Sequence, residues 1–139
     1  MPIVAHPQLP SLSKLKTEDL MVADAPSLAK NFNQELHIGL LNLMPDAALQ
    51  ATERQFIRLL GSDPSILVHV YPTTVGSSKR GEEFQDYIAK NYNDISTIYA
   101  SKLDGLIISG TNPSKPDMTD EPFWAPLVEV MDWAMENTN

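Results

Sequence analysis

Three apolar runs, each emptying into a short loop of small or turn-forming residues, constrain this chain more than any other feature. Residues 37–43 read HIGLLNL, residues 66–71 read ILVHVY and residues 104–109 read DGLIIS. Nearly continuous runs of this kind, rich in Val, Ile and Leu, suit strands covered on both faces, as in a parallel sheet. The segments between them have helical spacing. Leu49, Thr52, Phe56, Leu59 and Leu60 fall on the sheet-facing side of a helix predicted over residues 46–60, with Asp46 as its N-cap and Gly61 as its stop. Glu53, Arg54 and Arg58 fall on its other faces. Phe84, Tyr87, Ile88 and Tyr92 make a second stripe, while residues 95–103 fit either a further helical turn or irregular chain. A third stripe, Trp124, Leu127, Val128, Met131 and Met135, follows a helix start at residues 119–122. The order β-α-β-α-β-α with right-handed crossovers predicts an α/β fold, a three-stranded parallel sheet flanked by helices.

Residues 1–35 carry Pro2, Pro7, Pro10 and Pro26 and no sustained period. They are expected to be an arm lying over the domain rather than an element of its core, with a short helical turn starting at residues 17–20. The α/β domain is expected over residues 36–139. At 139 residues the chain can bury a core but is short for a complete doubly wound enzyme. The sheet is therefore expected to be truncated, with an open apolar edge that needs a covering partner.

A net charge of −8 makes the summed field repel phosphate backbones and anionic lipid surfaces, so neither nucleic acid nor membrane is an expected partner. No apolar stretch approaches the ~20 residues of a membrane span, and the start MPIVAHPQLPSL has neither the cationic beginning nor the long apolar block of a signal peptide. A cytoplasmic location is the expectation. The absence of cysteine rules out disulfides, thiolate metal sites and a cysteine nucleophile within these residues.

Nucleophiles of hydrolases and acyltransferases commonly sit on a sharp strand-to-helix elbow, but no G-x-S-x-G or G-x-C-x-G occurs. His6 lies in the arm, His37 begins a strand and His69 sits inside one, so each reads as a structural or surface histidine rather than a base. No H-x-x-H or H-E-x-x-H pair occurs, and no metal is expected. Gly110, at the carboxyl end of the third run, lets the backbone approach a ligand and can turn an N–H toward a developing oxyanion. The loop of Asn42, Met44 and Pro45, at the carboxyl end of the first run, is expected to border the same pocket, because ligands of parallel α/β folds sit there.

Residues 41–45 (LNLMP), then Thr52-Glu53-Arg54-Gln55-Phe56 with Arg58-Leu59-Leu60, then residues 104–110 (DGLIISG) and Phe123-Trp124 closely resemble the N-terminal part of the homoserine O-acyltransferases usually called homoserine O-succinyltransferases. The resemblance covers most of the chain from residue 36 onward. It implies a flavodoxin-like fold of the class I glutamine amidotransferase type, of which residues 36–139 are the N-terminal part. It also implies the first step of methionine biosynthesis, in which an acyl group passes from an acyl-CoA (succinyl-CoA or acetyl-CoA) to L-homoserine. No bound cofactor is implied, and full-length relatives are expected to be homodimers.

Family members use a Cys nucleophile with a His and a Glu, and none of these can be matched here, so the chain alone is expected to be inactive. The residue after Gly110 matches the position whose N–H helps form the oxyanion hole and whose side chain bears on the acyl donor; here it is Thr111. In relatives with LMPKK two lysines follow the proline, whereas this chain has Asp46 and Ala47. Glu53 and Gln55 are expected to fix the helix and its neighbouring loop, and Trp124 and Trp133 to pack under the last helix. The other class that fits is a non-catalytic flavodoxin-like or amidotransferase-like module that binds a ligand or partner.

Overall fold

The expected strands all form and all pair in parallel. In the computed structural model, residues 3–5, 9–17, 32–76 and 80–139 are described. The elements are β1 (Ile3–Val4), α1 (Pro10–Thr17), β2 (Gln34–Leu41), α2 (Asp46–Leu60), β3 (Ile66–Thr73), α3 (Glu82–Asn91), α4 (Ile95–Ala100), β4 (Gly105–Ile108), a 3-10 turn (Met118–Asp120) and α5 (Trp124–Asn137). The sheet has four strands rather than three, in the order β1-β3-β2-β4. Register pairs include Ile3 with Val68, His37 with His69 and Gly39 with Leu106.

Paired residues of neighbouring strands share a face, and alternate residues along a strand face opposite ways. One face therefore carries Ile38, Leu40, Val68 and Val70, which pack with Leu12 and Leu15 of α1, Leu49 and Ile57 of α2, and Phe84 and Ile88 of α3. The other carries Leu41 and Leu106, packed with Ile95 and Tyr99 of α4 and Leu127 and Val130 of α5. On this second face Gly39 admits a close approach: a Cβ there would lie 2.8 Å from Leu106 Cδ1 and 2.9 Å from Leu103 Cδ1.

Several expectations are corrected. Residues 3–4 and 10–17 are not an arm outside the core. Ile3, Leu9 and Leu15 are fully or almost fully buried, and β1 is an edge strand. Pro10 read as a breaker, but at a helix's first position its missing N–H would have no intrahelical partner anyway. The turn expected to start at residue 17 falls on the last residue of α1, and residues 18–20 lie outside the described residues, as does His6.

Asp46 is the first residue of α2 rather than its N-cap; Pro45 occupies that position, with no side-chain cap. The inner face of α2 is Leu49, Glu53 and Ile57, whereas Leu59 is 67% exposed. In α5, Val130 is the fully buried position, while Val128, Met131 and Met135 are exposed. Residues 119–122 hold the 3-10 turn and its exit rather than the start of α5. Residues 95–100 resolve as helix, its N-terminus capped by the Asp94 side chain, which accepts from Ser96 N. Among the described residues no helix is long and apolar enough to cross a membrane.

If the N-terminal segment is core, truncating it must cost as much as truncating any core position. Leu15→Ala is expected to destabilise the chain by about 2–5 kcal/mol in chemical denaturation, as for a buried leucine elsewhere, whereas an arm residue would cost nearly nothing.

Candidate functional site

The carboxyl ends of β2 and β4 are joined by hydrogen bonds. Ser109 N donates to Leu41 O at 2.9 Å, and Leu43 N donates to Ser109 Oγ at 2.8 Å, which in turn donates to Gly110 O at 2.7 Å. A Cβ built on Gly110 would sit 3.8 Å from Met44 Sδ. The structure therefore brings Met44 and Gly110 into contact range, with the exposed Pro45 one residue further along and Thr111, partly buried, next to Gly110. Among the described residues neither the Gly110 N–H nor the Thr111 N–H has a hydrogen-bond acceptor.

Asn42 does not face this mouth as a ligand-binding group. It is fully buried, its Nδ2 donates to Leu49 O at 2.9 Å and to the Tyr92 hydroxyl at 3.0 Å, and its Oδ1 accepts from Met44 N at 3.2 Å. Its own N–H donates to Thr73 O at 2.9 Å, tying the loop to the end of β3. With its side-chain amide and its own N–H engaged, Asn42 acts as the internal brace of the loop that carries Met44 and Pro45.

Glu53 is the second brace. Its carboxyl is fully buried, accepts from the Ser11 hydroxyl of α1, and accepts from Tyr87 OH of α3 at 3.0 and 3.2 Å. Burial pushes its pKa up from the ordinary 4.5, with hydrogen bonds from Ser11, Tyr92 and Tyr87 opposing the shift. The same burial, with the Glu53 charge, pushes Tyr87 and Tyr92 above the ordinary tyrosine range. Glu53 thus fixes the helix as expected, through helices on both sides of it, while Gln55 is exposed and does not share that role.

Two further residues shape the rim and were not singled out in the sequence. Arg80 is largely buried, and its guanidinium donates to Met44 O at 3.2 Å and Asp46 Oδ1 at 2.9 Å. Asp46 Oδ2 also accepts from Gly81 N at 2.9 Å, so the residue standing where some relatives have lysine is spent on joining two loops. Glu121, also buried, folds back the chain that follows Thr111 by accepting from the backbone N–H groups of Ser114 and Lys115. A lone Arg or Glu in a polar loop gives no sequence signal for such pairings. Trp133 packs against Tyr99 with ring centroids 5.4 Å apart. A concavity between α2 and α3, lined by Gln50, Phe84, Tyr87 and Asn91, includes none of residues 42–45 or 109–111.

Because folding raises the Glu53 pKa, its neutral form favours the fold. That contribution is complete below 4.5 and is lost as pH rises through the higher folded value. Measured by urea denaturation across this window, the stability of the parent relative to Glu53→Gln is expected to decline as pH rises. A flat difference would show that Glu53 ionises in the fold as readily as in the unfolded chain.

The homoserine O-succinyltransferase family profile matches residues 2–139. The chain is 46% identical over 138 residues to the homoserine O-succinyltransferase of Methylococcus capsulatus, 47% to that of Allochromatium vinosum and 49% to that of Methylobacter tundripaludum. Each comparison covers 99% of this chain but 39% of the relative, so the chain spans well under half the length of these proteins. On a match that runs from the N-terminal edge strand through the last helix, the chain belongs to the homoserine O-succinyltransferase family.

Proposed function

We propose that this chain forms the N-terminal wall of a homoserine O-acyltransferase pocket, in which an acyl group moves from acyl-CoA to the hydroxyl of L-homoserine. The observation that carries the reading is the convergence of Met44 and Gly110 at the carboxyl rim of the sheet, beside two N–H groups with no acceptor among the described residues. The names of the relatives favour succinyl-CoA as the donor.

In this reading residues 36–139 are the N-terminal part of the acyltransferase domain, and β1 and α1, from the 1–35 segment, close its sheet and core at the β1 side. The chemistry is covalent. A cysteine thiolate attacks the thioester carbonyl and coenzyme A leaves as its thiol, taking a proton from a histidinium; the homoserine hydroxyl then attacks the acyl-cysteine, the histidine takes its proton, and the cysteine leaves as the thiolate. Both steps pass through a tetrahedral oxyanion, and the Gly110 and Thr111 N–H groups are the donors that stabilise it. One such donor is worth about 10²–10³ in rate. The chain contains no cysteine, so the nucleophile, with its histidine and glutamate, belongs to residues outside these 139. Pro45 and Met44 border the pocket, and the Thr111 side chain faces the variable end of the acyl group. A cytoplasmic setting, a homodimeric full-length protein and no bound cofactor go with this reading.

Two measurements test it. The purified chain is expected to show no acyl transfer to homoserine from either succinyl-CoA or acetyl-CoA, and turnover above background would overturn the assignment of the nucleophile. A chimera in which residues 2–139 replace the matching segment of the Methylococcus capsulatus relative is expected to be active. In that chimera Thr111→Gly should change the succinyl-to-acetyl ratio of kcat/KM by roughly tenfold, the usual size of a small-group effect in a pocket. An unchanged ratio would remove Thr111 from donor selection.

A further inference from the structure

At the opposite rim of the sheet, Glu35 and His37 lie two apart on β2 and so face the same side, and register places His69 of β3 directly beside His37. The imidazoles of His37 and His69 are stacked, with centroids 4.4 Å apart and planes 6° from parallel. Glu35 Oε1 is 2.5 Å from His69 Nε2 and 3.9 Å from His37 Nε2, and one ligand atom from each of the three residues lies within 4.8 Å of the others. We propose that Glu35, His37 and His69 form a binding site for a divalent transition-metal ion of the zinc type, held by two imidazole nitrogens and one carboxylate oxygen.

Three features favour a metal over a mere hydrogen-bonded cluster. The donor set is the borderline nitrogen and oxygen combination such ions select. Metal–ligand distances of about 2.0–2.2 Å put neighbouring donors roughly 3.3 Å apart, between the two carboxylate–imidazole separations seen here, and the stacked rings must turn out of parallel for both lone pairs to meet one ion. The second shell is also in place. His37 Nδ1 is 2.8 Å from the Tyr71 hydroxyl, and donation from Nδ1–H to that oxygen leaves the Nε2 lone pair for the metal. His37 N donates to Asp104 Oδ2 at 2.7 Å, which fixes the backbone that carries this ligand.

The three ligands come from rigid, register-locked strands rather than from loops. The site is spatially separate from the acyl pocket: five residues of strand separate His37 from Asn42, about 16 Å at ~3.3 Å per residue. Its role is to clamp β2 to β3, and it does not depend on the acyltransferase reading.

The test uses the untagged chain, titrated with zinc chloride against a chromogenic chelator, with cobalt(II) absorption reporting ligand geometry. One ion per chain is expected, with a rise in melting temperature on adding zinc. His69→Ala and His37→Gln should each weaken binding by at least about tenfold and abolish the thermal shift. Circular dichroism checks that each variant folds. His37→Gln keeps the strand's volume and hydrogen bonding if the alanine variant does not fold. Absence of stoichiometric binding, or binding unchanged in folded His69→Ala or His37→Gln, would each overturn the proposal.

Discussion

Parallel pairing sends every strand of this sheet in one direction, and the rest of the molecule follows from that. The carboxyl ends of β2, β3 and β4 are gathered on one rim and their amino ends on the other. Loops leaving the first rim carry Asn42 to Pro45 and Gly110 to Thr111, so residues far apart in sequence meet without any helix having to deliver them. An antiparallel arrangement of the same strands would have split these loops between the two ends.

A shared rim is not yet an ordered one, and buried polar contacts supply the order. Asn42, Thr73 and Ser109 lock the strand ends to each other, Arg80 and Asp46 lock two adjacent loops, and Glu53 locks three helices beneath them. None of the buried side-chain polar atoms among the described residues lacks a partner. That completeness matters because a half-satisfied network in a low-dielectric interior is worse than an apolar one. At that rim the Gly110 and Thr111 N–H groups have no acceptor among the described residues, and such a donor can serve a substrate oxygen.

Legibility in the sequence tracked how local each determinant was. β2, β3 and β4 were readable because strands covered on both faces must be apolar along their length. β1 was not, since two residues carry no period and their pairing is fixed by Val68 and His69. The burial of α5 was misread because Val128, Met131 and Met135 are as apolar as Val130, and periodicity alone cannot choose between two apolar faces. Both strand-end loops were legible from the fold class. The braces were not: Arg80 and Asp46 lie 34 residues apart, and only tertiary structure pairs them. A search for helical histidine spacing likewise could not see His37 beside His69, which depends on cross-strand register.

The edge strand β1 sets an order of events during synthesis. Ile3 pairs with Val68, so this strand waits for a partner made some 65 residues later, on the order of 3–13 s at ~5–20 residues per second. Over that interval Ile3, Leu9, Leu12 and Leu15 have no core to enter, and β2 lacks the neighbours that flank it in the finished sheet. Until β3 emerges and the sheet zips up around β2, this nascent segment is therefore a stretch of exposed apolar chain, the kind of surface a holding chaperone binds.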